Sequence, residues 1–190
     1  GGSTIYQGHP DSIALTGQSG PGVTGYGVRK WYDSEYSGDS WTYGGDYPLI
    51  RYAEVLLSRL ESELKAGNTI DQNLLDETIN KVRQRDSVDM PPVVKGEDFN
   101  SNEELMNIIR RERCIELAME GMIRYWDLVR WERLDEVLNR KFYGMKVTDN
   151  PAGYEGKYQI NEDGHIFIRE KIFNEYNYLW PIPQSELDVN

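Results

Sequence analysis

The stretch IIRRERCIELAMEGMIRYWDLVRW, residues 108–131, places nine charged side chains among apolar ones. Its carboxylates Glu112, Glu116 and Glu120 recur at every fourth position, and Arg124 continues the series. Residues four apart are neighbours on one edge of an α-helix, so the stretch predicts a helix with a charged edge. We call this set the charged ladder. It comprises Glu112, Arg113, Glu116, Glu120, Arg124, Asp127 and Arg130.

Three interpretations of the charged ladder compete. A two-metal carboxylate bundle requires Glu-x-x-His pairs on facing helices, but the histidines are His9 and His165, in a predicted loop and hairpin. A hydrolase requires two carboxylates roughly 5–10 Å apart without arginine partners, and every carboxylate here has an arginine within one helical turn. The sequence therefore favours a structural network of arginine–carboxylate pairs between helices. It predicts no catalytic residue, no metal and no cofactor.

Length and composition restrict the remaining classes. The 190 residues suit a single domain, and the longest apolar runs fall short of the roughly 18 residues of a membrane span. A net charge of −11 argues against a nucleic-acid partner, because phosphate binding depends on basic residues. The lone Cys114 allows no internal disulfide. Because the chain opens with Gly-Gly-Ser and has no signal segment, we expect it to be a piece of a longer protein.

Apolar spacing predicts the helical part of the fold. Helices are expected over 48–66, with Pro48 in the first turn, and over 71–86, and these two should pair as a hairpin. Ser101 and Glu104 form a capping-box pattern, which starts a third helix through the ladder. A fourth is expected from Ile123 to Leu138. The aromatic residues Trp126, Trp131 and Trp180 are expected to pack against this body.

The two ends of the chain have other patterns. Residues 1–47 are rich in glycine and aromatic residues and predict a loop-rich segment, followed by a helical body over 48–139. Residues 140–190 predict a β-hairpin, in which KYQI and HIFI flank an Asn-Glu-Asp-Gly turn, and an extended tail broken by Pro181 and Pro183. The predicted fold class is mainly α, with helical hairpins and one small β-hairpin.

Aromatic residues of the first segment are candidate ligand contacts. Tyr36, Trp41 and Tyr43 lie in YSGDSWTYGGDY, a segment whose composition favours exposure. Exposed rings can stack on sugar rings while neighbouring polar groups bond hydroxyls. These three residues are therefore the predicted sites of carbohydrate binding.

Four blocks occur in a recognisable order: VRKWYD, PLIRYAEVLL, ERCIELAMEGMIRYWDLVRW and YLWPIPQSELDVN, with INKVRQR between the second and third. In this order and spacing they resemble the C-terminal half of the SusD/RagB family of outer-membrane nutrient-binding lipoproteins. The resemblance extends from Val28 to the last residue. Its third and fourth blocks are the most specific, and the family's N-terminal half has no counterpart here.

The resemblance implies a non-enzymatic, mainly helical protein whose helices 48–66 and 71–86 form a tetratricopeptide-like pair. It implies a surface-exposed location at the cell outer membrane, through a lipid anchor outside this chain. The implied partners are an oligosaccharide or other nutrient and a SusC-like, TonB-dependent transporter that receives it. The alternative is a structural or interaction domain that docks on the transporter without holding ligand.

Overall fold

The computed structural model describes residues 24, 26, 30, 44–86, 88–146, 159–179 and 181–188. Within these ranges it contains seven α-helices, one 3-10 helix and one two-stranded antiparallel sheet, which confirms the predicted fold class. The chain divides into two units. The first unit is Trp31–Trp126, and the second unit combines Gly1–Lys30 with Asp127–Asn190. The single domain expected from the chain length stays a prediction.

Helix α1, Tyr52–Lys65, is the centre of the first unit. It packs against the later helices of the same unit through a buried stripe. The stripe is formed by Ala53, Leu56, Leu57, Leu60 and Leu64. A fully buried leucine stabilises a fold by about 1.5–3 kcal/mol, so this stripe supplies much of the unit's stability. The predicted start at Pro48 was wrong: Arg51 is the extended N-cap residue, with φ −108° and ψ 151°.

The predicted helix over 71–86 is divided into α2, Gln72–Glu77, and α3, Ile79–Arg83. Asp71 caps α2 by accepting a hydrogen bond from the amide of Leu74. The break falls at the buried Thr78, whose ψ is −96° and whose hydroxyl donates to the Leu74 carbonyl. A threonine hydroxyl that bonds back to the preceding turn competes with regular helix geometry. The sequence pattern located the helical segment but missed this break.

Helix α4, Asn102–Glu116, begins at the predicted capping box. The Ser101 hydroxyl accepts from the Glu104 amide at 3.2 Å, and the Glu104 carboxylate accepts from the Ser101 amide at 3.0 Å. The Asn100 amide also donates to the Glu104 carboxylate, at 2.6 Å, and this bond contributes most to lowering the pKa of Glu104, with Ser101 adding to it. Buried Leu105, Met106 and Ile109 form the inner face of α4, which packs on α1.

Two short helices replace the single one predicted from Ile123 to Leu138. These are α5, Ile123–Arg130, and α6, Leu134–Leu138, separated by Glu132 at a φ of +54°. The buried face of α5 is Asp127 and Leu128, which leaves Trp126 on the outer side, 49% exposed. The expected packing of Trp126 was therefore wrong. Trp131 is half-buried with the Arg130 guanidinium over its ring, and Trp180 lies outside the described residues.

The sheet pairs β1, Lys141–Lys146, with β2, His165–Glu170. The predicted turn is present: the Asn161 amide donates to His165, and Gly164 adopts a φ of +89°. Ile160, on the predicted side of the turn, forms an isolated bridge with Ile166. The strand that pairs with β2 over several residues is β1, which the sequence pattern did not predict. The tail also departs from the expected extended form, because it contains a 3-10 helix, Glu175–Tyr178, and α7, Gln184–Leu187.

None of the described helices combines the length and the hydropathy of a membrane-spanning segment.

Candidate functional site

The carboxylates Glu112, Glu116 and Glu120 of the charged ladder each meet an arginine from another part of the first unit. Glu112 accepts a hydrogen bond from Arg83, the last residue of α3, at 2.6 Å between Oε2 and Nη1. The carboxylate of Glu112 is about nine-tenths buried and the arginine about four-fifths. This pair joins α3 to α4.

Glu116 is the centre of the cluster. Arg85 donates two hydrogen bonds to its carboxylate, at 2.5 and 2.8 Å, and Arg51 donates a third at 2.7 Å. Two parallel bonds between a guanidinium and a carboxylate are the strongest and most directional form of this interaction. Glu116 therefore connects the start of α1 and the segment after α3 to the end of α4.

Arg51 completes the cluster. It forms a second two-bond pair with Glu120, at 2.6 and 2.9 Å, and also donates to the main-chain carbonyl of Glu116 at 2.9 Å. Its own carbonyl accepts the first amides of α1, from Glu54 and Val55. A single side chain thus fixes the start of α1 against the turn that follows α4.

The electrostatics of the cluster favour its ionised form. Burial alone would raise the pKa of Glu116, but hydrogen bonds and charge from Arg85 and Arg51 outweigh it and lower that pKa. The pKa of Arg51 is raised, chiefly by its bonds to Glu120. A carboxylate held ionised by two guanidinium groups is a poor proton donor at neutral pH, which disfavours the hydrolase interpretation.

The other members of the charged ladder have different surroundings. Arg113 is buried and donates to the Ser58 hydroxyl of α1 at 3.0 Å. Asp127 is buried and pairs with Arg130 at 2.8 Å. In the part of the chain that the structure describes, Arg124 forms no ion pair, and Glu120 bonds to Arg51 instead of this helical neighbour.

A metal site would require clustered ligand side chains among the described residues. There, no group of three or more His, Cys, Asp or Glu side chains is arranged to hold a metal ion. The ring nitrogen Nδ1 of His165 instead lies 3.0 Å from the carbonyl of Gly144 within the sheet.

The predicted ligand residues Tyr36, Trp41 and Tyr43 lie outside the described residues. Their role in carbohydrate binding therefore stays a prediction. Tyr47, just beyond them, is half-exposed, and its hydroxyl accepts from the Gly121 amide at 2.7 Å.

Sequence reasoning missed three arginines, Arg51, Arg83 and Arg85, that pair with the ladder. They precede their carboxylates by 29 to 69 positions, so helical spacing could not identify them. The available signal was indirect: Arg51 lies in the block PLIRYAEVLL, and Arg83 and Arg85 lie in the segment INKVRQR.

A groove of about 720 Å³ opens beside this cluster, between α1 and the α2–α3 segment. Its floor is apolar and its rim carries Tyr52, Lys81 and Gln84. The second unit has a separate groove of about 780 Å³, lined by Phe173, Tyr178 and three carboxylates. Sites of this size accommodate small molecules or short segments of a polymer.

These features define the class of protein: a mainly helical scaffold, fixed by buried arginine–carboxylate pairs, that presents an open groove beside those pairs and a separate groove in the second unit. The family model of the SusD family matches residues 5–190. The chain belongs to the SusD family.

Solved structures share this fold. A SusD-like carbohydrate-binding protein from Bacteroides fragilis superposes with a TM-score of 0.80 and 36% identity, over 98% of this chain and 38% of the other. A second SusD-like protein from the same species gives a TM-score of 0.65 and 25% identity, over 91% of this chain and 30% of the other. A curated SusD-like protein of Formosa agariphila is 33% identical over 90 residues, 47% of this chain and 18% of that protein. The chain therefore spans well under half the length of these relatives.

Proposed function

We propose that the chain binds oligosaccharide as part of a SusCD-like nutrient-uptake system of the outer membrane. The observation that carries the proposal is the fold shared with the SusD-like carbohydrate-binding protein, over 98% of this chain. Membership of the SusD family over residues 5–190 supports the same class of ligand.

The proposed chemistry is stacking without bond cleavage. The aromatic residues Tyr36, Trp41 and Tyr43 would offer flat apolar faces to sugar rings, and adjacent polar groups would bond the hydroxyls. The arginine–carboxylate cluster acts as scaffold: it fixes α1, α3 and α4 relative to one another inside the first unit. Because these helices are already ordered in the free protein, ordering them does not reduce the free energy of ligand binding.

The proposed setting extends beyond this chain. The protein would lie on the outer face of the outer membrane, held by a lipid anchor, and would hand its ligand to a SusC-like, TonB-dependent transporter. We propose no catalytic step, because the described carboxylates of the ladder are paired with arginine and Glu116 is held ionised.

The test is a titration of the purified chain with soluble polysaccharides, followed by tryptophan fluorescence. Trp41→Ala removes a proposed stacking ring, while Trp126→Ala removes an exposed tryptophan that lies outside the aromatic segment and serves as control. We expect a saturable signal that is lost in Trp41→Ala and kept in Trp126→Ala. Equal binding by both variants would refute the assignment to Trp41.

The alternative is a scaffold that docks on the transporter while other parts of a longer protein hold the ligand. It is favoured by one observation, that the chain spans 38% of the length of the structural relative. A folded chain that binds no polysaccharide of the panel would support this alternative.

A further inference from the structure

The groove between α1 and the α2–α3 segment brings together groups suited to a sugar. Its floor contains Ala53, Leu56 and Val82, all of them buried. Around this floor stand an aromatic ring, a carboxylate, an amine and an amide. These belong to Tyr52, Asp76, Lys81 and Gln84.

The carboxylate of Asp76 is held in a fixed position with one oxygen uncommitted. Its Oδ1 accepts from Asn80 at 2.7 Å and from Gln72 at 2.9 Å. Asn80 is itself fully buried and locked by two bonds to the main chain of Val93, at 2.6 and 3.0 Å. Among the residues that the structure describes, none donates to Oδ2 of Asp76. Asp76 is exposed, so this oxygen is an oriented acceptor that a ligand can reach.

The rim adds a ring and a cation. Tyr52 is 63% exposed, and the Lys81 amine lies 5.4 Å from the centre of its ring. Within the described ranges, no carboxylate lies within ion-pair distance of Lys81. The amine is thus held beside the ring by a cation–π contact and keeps donors available for a ligand.

The two arginines that line the same groove are already paired with carboxylates. Arg51 and Arg85 share Glu116, so their charge is balanced by the cluster behind them. Hydrogen bonds from Asn80, and then from Gln72, lower the pKa of Asp76 and keep it ionised. An anionic ligand would meet this carboxylate, whereas a neutral ligand with hydroxyl groups satisfies acceptor and donor together.

We infer that this groove is a second saccharide-binding site, in which a neutral sugar ring lies on Tyr52, donates a hydroxyl to Oδ2 of Asp76 and accepts from Lys81. The inference rests on the proposed function, because it assigns the same class of ligand to another part of the chain. Asn80, locked by its buried bonds to Val93, orients the Asp76 carboxylate, so the acceptor of this site is preformed. The volume of about 720 Å³ accommodates one or two sugar units.

The experiment is calorimetric titration of the purified chain with neutral oligosaccharides of glucose, xylose, mannose and galactose. Tyr52→Ala removes the ring. Asp76→Asn keeps an oxygen for the bonds from Asn80 and Gln72 but replaces the free acceptor with an amide donor. Tyr176→Ala, an exposed tyrosine of the other unit, is the matched control. We expect both groove variants to weaken at least about tenfold the binding that persists in Trp41→Ala, and the control to leave that binding unchanged.

Backbone amide spectra of ¹⁵N-labelled chain identify the surface directly. We expect the amide signals of Tyr52, Asp76 and Lys81 to shift on titration with the oligosaccharide that binds in calorimetry. If binding is lost in Trp41→Ala and unchanged in both groove variants, the inference is wrong and the proposed function stands. If the folded chain binds no neutral oligosaccharide or polysaccharide, both are wrong.

Discussion

Glu116→Gln tests the energetic role of the arginine–carboxylate cluster. The substitution keeps the size and polarity of the side chain but removes the negative charge of the carboxylate, which accepts three hydrogen bonds from Arg51 and Arg85. Removing one partner of a buried ion pair costs about 3–5 kcal/mol, because the other charge stays uncompensated. Two features reduce this cost here. Arg51 keeps its two bonds to Glu120, and the Arg85 side chain, 40% exposed, can regain water.

We therefore expect Glu116→Gln to lower the free energy of unfolding by about 2–3 kcal/mol, which for a chain of this length lowers the thermal midpoint by roughly 5–10 °C. The assay is thermal and urea unfolding followed by far-ultraviolet circular dichroism. Glu103→Gln is the matched control: it makes the same change on the same helix, where the carboxylate is 71% exposed and pairs with Arg110 at 2.9 Å. A surface pair of this kind contributes at most about 1 kcal/mol. If the two variants lose the same stability, the reasoning about burial is refuted.

The same variant predicts a pH dependence. The pKa of Glu116 is lowered in the folded state from its ordinary value of 4.5, so its contribution is complete above that value and is lost as the pH falls through the folded pKa. The stability difference between the wild-type chain and Glu116→Gln should be constant near neutral pH and should shrink below about pH 4.5. A difference that grows on acidification would contradict the assignment of the charged form.

Three further substitutions test the elements around the sites. Ser101→Ala removes the cap of α4 and should cost about 1 kcal/mol, with faster hydrogen exchange in the first turn of that helix than in α1. Asn80→Leu leaves the amide and carbonyl of Val93 without their buried partners; we expect a loss of roughly 2–4 kcal/mol in urea unfolding, and no loss would show that water replaces the side chain. Gly144→Ala places a methyl group 2.6 Å from the Thr24 carbonyl oxygen, so the thermal midpoint should fall by several degrees, about 2 kcal/mol, whereas Gly44→Ala, with open space around it, should be nearly neutral.

Local patterns predicted the helical segments because their causes are local. The capping box at Ser101 and Glu104 starts α4 where expected, since both bonds form between residues three apart. The turn before β2 is likewise formed by neighbouring residues, Asn161 to His165. The breaks at Thr78 and Glu132 were missed, because a single side-chain bond or a positive φ interrupts a helix without changing its apolar spacing.

Local sequence patterns did not predict the contacts between residues that lie far apart in the chain. The strand β1 pairs with β2, which follows it by about twenty residues in the chain. Neither the partner of β1 nor its register can be predicted from the residues of β1 alone. The exposure of Trp126 was also misjudged, because which face of α5 is buried depends on what packs against it.

The sequence by itself determined the mainly α class, the capping of α4 and the presence of a ladder whose carboxylates need positive partners. Each of these follows from residues within a few positions of one another. Only the tertiary structure decided that the partners are Arg51, Arg83 and Arg85, and that Tyr52, Asp76 and Lys81 meet in one groove. The physical reason is that side chains from α1, α3 and α4 become neighbours only when their buried apolar faces pack together, so the contacts belong to the packing and not to any one segment.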